Sequence, residues 1–340
     1  MPDVASSARP PGMHDVARVA KVSHQTVSRV LNDHPHVRPD TKERVRQAIA
    51  ELGYRRNAAA RSLVTRRSGV IGVLTPRTEL YGPTSSMIAV EVAAREAGYF
   101  VSLTSVADTS AVALSDAVDH FKDQAAEAVV LIAPEREWLD AARIVAETMP
   151  VVTMCADFRA ARPSLATVAL DNRSGARLAM GHLLELGHRD IAFVAGPPTS
   201  PEATARQRAW RESLRRAGLP AERVLVGDWS SASGHAAGVQ LIADGVPTAV
   251  FAANDQMALG VLSALAEAGF DVPGDVSVAG FDDVPDSAYF TPALTTVRQD
   301  FSALAARCVA VLERLLSGGS ATSVRIRPEL VIRSSTTVPR

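Results

Sequence analysis

The sequence predicts a small all-helical headpiece followed by a larger α/β body made of two parallel-sheet lobes. Three observations predict this. Residues 13–53 carry three short amphipathic helical patterns, and from residue 69 onward short apolar runs alternate with helical segments. Charge changes sign between the two parts: residues 1–67 hold thirteen Lys/Arg against six Asp/Glu, and the remainder holds 23 against 31. A basic end of +7 on a body of −8 is the asymmetry expected when only one part meets phosphate.

At 340 residues, 47% hydrophobic and 21% charged, the chain has the profile of a soluble protein with two or three cores. Its two cysteines, Cys155 and Cys308, have no CxxC spacing and cannot form a disulfide framework, so a reducing cytoplasm is expected. Residues 1–12 contain Pro, Ser and Gly without an apolar core, which reads as a disordered tail and not a signal peptide. No apolar run approaches the roughly 20 residues of a membrane span.

In the first helix Val16, Ala17 and Ala20 share a face; in the second, Val27, Val30 and Leu31 do so at i, i+3 and i+4. Lys21-Val22-Ser23 forms the tight turn between them. The third helix opens with Pro39, where a missing N–H costs nothing, buries Val45, Ala48, Ile49 and Leu52, and stops at Gly53. This is a helix-turn-helix module over 13–56. Residues 57–67 are basic and helix-compatible but too short for a stable isolated helix. They read as a linker that a partner orders, or as one whose Leu63 packs on the body.

Beyond residue 68, strand-like runs fall at 70–75, 101–105, 128–133, 151–155, 191–195, 224–226, 249–253 and 276–280. Helical segments at 86–97, 174–186 and 255–268 separate some of them. Such alternation implies parallel sheets covered on both faces. Ligands of open α/β folds bind beyond the carboxyl ends of the strands, and two lobes can turn those ends toward one cleft.

On the second helix the polar residues His24, Gln25, Ser28, Arg29 and Asn32 lie opposite the Val27/Val30/Leu31 stripe. That face is either solvated or pressed into a DNA major groove, and the basic three-helix setting favours the groove. Arg29 suits guanine O6/N7 and Gln25 suits adenine N6/N7. Ser23, Thr26, Ser28 and Asn32 suit phosphate.

In the body, a polyhydroxylated ligand demands planar polar side chains and an aromatic platform. Arg206, Asn254, Asp282 and Gln299 near strand ends, with Trp229 beside Gly227-Asp228, meet that demand. Each also has a structural reading: helix caps for Asn254 and Asp282, an ion pair for Arg206, a core filler for Trp229. Adjacent Asp282-Asp283 lacks any accompanying leaving-group apparatus, so catalysis is not expected. His34-Pro-His36 lacks Cys or acidic partners at metal spacing, and no phosphate-loop or dinucleotide motif occurs, so neither metal nor cofactor is expected.

Five stretches together resemble the LacI/GalR family. They are 22–32 (Val-Ser-His-Gln-Thr-Val-Ser-Arg-Val-Leu-Asn), 51–57 (Glu-Leu-Gly-Tyr-Arg-Arg-Asn) and 187–197 (Gly-His-Arg-Asp-Ile-Ala-Phe-Val-Ala-Gly-Pro). The other two are 253–260 (Ala-Asn-Asp-Gln-Met-Ala-Leu-Gly) and 292–301 (Pro-Ala-Leu-Thr-Thr-Val-Arg-Gln-Asp-Phe). The resemblance runs in order over 13–338. It implies a body like a type I periplasmic sugar-binding protein, with one lobe at about 69–170 and 301–328 and the other at about 171–298 and 329–338.

The resemblance also implies a homodimeric repressor on a near-palindromic operator, released by a small sugar or glycoside. A repressor that needs a co-repressor, or a stand-alone sugar-binding receptor, are the alternatives. His24, Gln25 and Arg29 match base-reading positions, with His24 standing where tyrosine occurs in the family. Leu63 matches a hinge leucine that wedges into the minor groove. Arg38 replaces a small hydroxyl at the start of the third helix and, with Thr41, Tyr54 and Asn57, is expected on phosphate. Arg206, Trp229, Asn254, Asp282 and Gln299 match ligand positions, with Leu80, Pro83, Leu170 and Phe301 as apolar lining. Cys155 departs from an expected Asp, which Asp157 is positioned to replace, and Gly227-Asp-Trp229 favours a galactoside-like ligand. The chain ends without leucine heptads, so a dimer and not a tetramer is expected.

Overall fold

The computed structural model describes residues 11–31, 33–54, 67–133, 135, 137–155 and 163–340. Two compact units divide at Ser68/Gly69. Residues 1–10 of the expected tail over 1–12 and most of the expected hinge, residues 57–66 with Leu63, lie outside the described residues, as do Asn32, Asn57 and Asp157.

In the first unit, α1 (Met13–Ala20) starts where the Gly12 amide donates to the Asp15 carboxylate at 2.9 Å. It ends at Lys21, which takes the left-handed conformation at φ 52°. Helix α2 (His24–Leu31) is capped by Ser23, whose hydroxyl accepts the Thr26 amide at 3.1 Å. Helix α3 (Pro39–Leu52) has Pro39 in its first turn and closes at Gly53, φ 60°. The Tyr54 amide reaches back to the Ile49 carbonyl at 3.0 Å, satisfying a carbonyl that the helix leaves open. Val16, Ala17, Ala20, Val27, Val30, Val45, Ala48 and the Tyr54 ring make the core, while Leu31, Ile49 and Leu52 are only half-buried at its edge.

The second unit contains two parallel sheets. The first comprises β1 (Val70–Pro76), β2 (Phe100–Val106), β3 (Ala128–Ile132), β4 (Val151–Met154), β5 (Leu165–Leu170) and β11 (Ser323–Ile326), in the order β11-β5-β4-β3-β1-β2. Helices α4 (Tyr81–Glu96) and α11 (Phe301–Leu316) cover one face; α5 (Ala111–Asp123) and α6 (Glu137–Val145) cover the other. Helix α4 begins five residues before the expected start, because Pro83 falls in its first turn, where no backbone donor is lost.

The second sheet holds β6 (Ile191–Ala195), β7 (Val224–Val226), β8 (Ala249–Ala252) and β9 (Ser277–Ala279), in the order β7-β6-β8-β9. Around it pack α7 (Asn172–Glu185), α8 (Pro201–Arg216), α9 (Ser231–Ala243) and α10 (Asp255–Glu267). A short antiparallel pair, β10 (Thr296–Arg298) with β12 (Glu329–Val331), lies beside β9 through the Ala279–Thr295 and Asp282–Arg298 bridges.

The chain passes between the lobes three times, after β5, after β10 and after β11. Both sheets share the ordering in which the first strand lies between the second and third, and the crevice at that switch is where α/β sheets bind ligands. Glu212 of α8 takes Arg173 at 2.5 Å and Arg177 at 3.1 Å, both from α7, and hydrogen bonds from these two arginines hold its carboxyl down to about 2. This fixes α8, the carrier of Arg206, against α7. Among the described residues no helix is long and apolar enough to cross a membrane.

Candidate functional site

In the first unit, α2 presents a polar face. His24, Gln25 and Arg29 are exposed, and the buried Val27 and Val30 hold the opposite side of α2 in the core. Thr26 and Ser28 are half-buried on its flank. Ser23 is exposed and is engaged with Thr26 through both the backbone cap and a 2.9 Å hydroxyl contact. Arg38 precedes α3 without a side-chain capping bond and is exposed, and Thr41 is half-buried in the first turn. Tyr54 is 9% exposed and packs its ring in the core, so its main contact is structural, and only a small part of it meets solvent.

In the second unit, a cavity of about 360 Å³ lies between the lobes. Leu80, Pro83, Leu170, Arg206, Trp229, Asn254, Asp282, Gln299 and Phe301 all line it, so every described residue of the expected ligand set is brought together. Cys155 lines it too, at the position expected to be acidic.

The floor is a charged network withdrawn from water. Arg206, in the second turn of α8, donates through Nε to Asn172 Oδ1 at 2.7 Å and through Nη1 to the Ala253 carbonyl. The same Nη1 lies 3.4 Å from Asp282 Oδ1, and the guanidinium stacks 3.7 Å from the Phe281 ring centre. Gln299 Nε2 donates to the same Asp282 oxygen at 2.5 Å. Burial pushes the Asp282 carboxyl up to about 6, although Arg206 and Gln299 draw it back toward the ionised form. Asp282 sits at φ 116°, a strained backbone for a non-glycine residue that places its carboxylate at the end of β9's extension.

Trp229, also in the left-handed region at φ 78°, packs its indole directly over Gly196, where an added Cβ would fall 2.4 Å from the ring. Only glycine leaves space there. Asn254 caps α10 by accepting the Met257 amide at 2.9 Å, and its Nδ2 donates to the Trp229 carbonyl at 2.9 Å. The cap and lining roles therefore coincide in one residue. Asp282 is not a cap. Asn172, Ser200, Asn254 and Phe301 line the cavity, so the N-termini of α7, α8, α10 and α11 converge near it, each capped by a side chain (Asp171, Ser200, Asn254 and Asp300) that accepts a first-turn amide.

Sequence reasoning missed several lining groups: Tyr81, Ser86, Asn172, Ser200, Glu202 and Gln256. A signal existed for Tyr81 and Ser86, since they lie respectively one residue from Leu80 and three from Pro83, both expected in the lining. Asn172 had none, because its link to Arg206 spans 34 residues. Asp255 is also new. It is fully buried, accepts the Val284 amide at 2.9 Å and the Thr296 hydroxyl at 2.5 Å, and burial followed by the charge of Asp282 raises its carboxyl to about 8.

A helix-turn-helix unit with an exposed reading face, together with a two-lobed α/β body around a polar, aromatic-walled cleft, defines a ligand-responsive DNA-binding regulator. Residues 12–57 match the family model of bacterial regulatory proteins of the lacI family, and residues 180–336 match the periplasmic binding protein-like domain. The chain belongs to the lacI family. It is 35% identical to the lactose operon repressor of Escherichia coli (strain K12) over 331 residues, 97% of this chain and 91% of that protein. A crystal structure of the lac repressor bound to ONPG in the repressed state superposes with a TM-score of 0.80 at 34% identity, covering 96% of this chain and all of that one. The complex of the transcriptional regulator CelR with cellobiose gives a TM-score of 0.71 at 28% identity, covering 96% and 99%.

Proposed function

We propose that this chain is an operator-binding transcriptional repressor of the cytoplasm, acting as a homodimer on a near-palindromic site and released by an uncharged sugar or glycoside. The observation that carries the ligand half is the buried Arg206–Asp282–Gln299 network facing Trp229 and the apolar Leu80, Pro83, Leu170 and Phe301 across one cavity. Paired planar donors and acceptors suit adjacent hydroxyls, and the indole suits an apolar ring face. A regulatory role without catalysis fits an adjacent acidic pair that is tied up, Asp282 by Arg206 and Gln299 and Asp283 by Arg298 and Arg333. The solved relatives bound to ONPG and to cellobiose hold glycosides, which supports the same class here.

In the headpiece, His24, Gln25 and Arg29 are assigned to base edges and Ser23, Thr26, Ser28, Asn32, Arg38, Thr41, Tyr54 and Asn57 to phosphate. Leu63 is assigned to the minor groove and Asp157 to the ligand. The switch has two states: the ligand favours the lobe arrangement with lower operator affinity, and it shifts the balance only by its differential affinity for the two.

The test is a gel shift on a duplex selected by the full chain from a randomised palindromic library, titrated with galactosides, cellobiose, nucleobases and sugar phosphates. Release by a neutral glycoside alone is the expected result. Binding strengthened by a ligand would make the protein co-repressed. Loss of release for every glycoside, with release by a sugar phosphate or base, would overturn the ligand class.

A further inference from the structure

Two imidazoles on different helices lie face to face in the headpiece. The rings of His14, the second residue of α1, and His24, the first residue of α2, have centroids 4.6 Å apart and planes inclined by only 25°. Both residues are exposed. Among the described residues neither ring has a hydrogen-bond partner, so all four ring nitrogens remain available.

Both rings stand on well-fixed backbone. Val16 and Ala17 bury α1 just beyond His14, Val27 buries α2 one turn beyond His24, and the Val22 amide ties the intervening turn to the Ala17 carbonyl at 3.0 Å. A stack that lies in solvent buries little apolar area, so packing alone gives it little to do. What it does restrict is rotation. An exposed histidine at the start of a helix would otherwise sample several rotamers, and stacking selects one ring plane.

We propose that His14 is a specificity-determining residue of the DNA interface: it holds the His24 imidazole in one plane for base recognition and sets its own ring edge alongside, so that the pair reads neighbouring positions as a unit. The proposal rests on the reading of α2 as the groove-facing helix. A neutral imidazole carries one donor and one acceptor, and the major groove presents a distinct donor/acceptor pattern for each base pair. Successive base pairs rise by about 3.4 Å along the DNA helix axis, and the 4.6 Å between the two ring centroids is of the same order. A purine N7 or a guanine O6 is the acceptor chemistry such an edge would meet.

The experiment selects duplexes from a randomised palindromic library with the full chain, comparing wild type with His24→Ala, His14→Ala, His14→Phe and the His14→Ala/His24→Ala pair. His24→Ala should flatten the preference at one base pair per half-site. His14→Ala should flatten that same preference about tenfold, with unchanged helical circular dichroism and unchanged affinity for random-sequence DNA. His14→Phe, which keeps a ring to stack on, should restore it, and the double variant should be no worse there than either single one. A neighbouring preference lost in both His14 variants would mark the base that His14 itself contacts. Selection by His14→Ala of the wild-type sequence, alongside a changed selection by His24→Ala, would overturn the proposal and leave the groove reading intact. Selection of the wild-type sequence by His24→Ala would overturn both.

Discussion

The Arg206 guanidinium and the Asp282 carboxylate face each other at 3.4 Å on the floor of the cleft, with side chains 5% and 8% exposed. Removing one member of such a pair leaves the other charged and dry, which costs about 3–5 kcal/mol. Asp282→Ala is therefore expected to lower the melting temperature of the body as well as effector affinity. Asp282→Asn keeps an oxygen for Arg206 and Gln299, so the fold should survive, while the loss of a charged acceptor weakens effector binding about tenfold or more. Thermal melts and calorimetry on both variants, with the glycoside found by gel shift, separate the roles. Normal affinity in Asp282→Asn would remove Asp282 from the ligand site.

Asp255 predicts a pH dependence of stability. Its carboxyl is raised to about 8 in the folded state, against an ordinary value of 3.8. Below about pH 4 both folded and unfolded chains hold the proton, and the contribution is fully present. As pH rises toward 8 the unfolded chain releases a proton that the folded chain keeps, so stability falls by up to about 1.4 kcal/mol per pH unit. Asparagine in its place offers an acceptor to the Val284 amide and a donor to the Thr296 hydroxyl, mimicking the protonated acid. Asp255→Asn should flatten the fall in melting temperature between pH 5 and 8. A parallel fall in variant and wild type would show that the carboxyl ionises in place.

What could be read from the sequence follows from how local its causes are. Helix α3 is legible because Pro39 and Gly53 bracket a helical apolar period, each acting within a few residues. Strand β5 is harder to read: it is six residues long, its register holds two alanines and Thr167, and Thr167 is tolerated in the interior only because it meets Thr153 of β4 at 3.1 Å, a contact made by tertiary placement. Strands β10 and β12 are three residues each and pair across 31–35 positions, so nothing local announces them. The ligand side chains at strand ends were accessible through motif and family pattern. The Asn172–Arg206 and Asp255–Val284 links were not, because tertiary placement alone creates them.

Gly196 offers a cleaner probe of the aromatic platform than Trp229 itself. It directly follows β6, and a Cβ there would overlap the indole at 2.4 Å. Gly196→Ala should therefore push Trp229 from its seat and weaken glycoside binding without touching the headpiece. Tryptophan fluorescence should shift, and operator binding without ligand should stay near wild type. An unchanged calorimetric titration would mean that the indole does not stack on the ligand.

Arg29 separates base reading from phosphate anchoring. It lies in the last turn of α2, exposed, on the face opposite Val27 and Val30. A guanidinium there can meet guanine O6 and N7 bidentately, an arrangement worth about 1–3 kcal/mol against the wrong base. Arg29→Ala should cost about that much on the selected operator and relax preference at one base pair per half-site. Its affinity for random DNA should change far less, and Arg29→Lys should restore only part of the loss, because an ammonium lacks the planar fork. A phosphate contact would behave differently. Affinity would then fall equally on every sequence, and the slope of log affinity against log salt would flatten by about one. Gel shifts of the variants on selected and random duplexes at three salt concentrations distinguish the two, and a uniform loss would move Arg29 from the groove to the backbone.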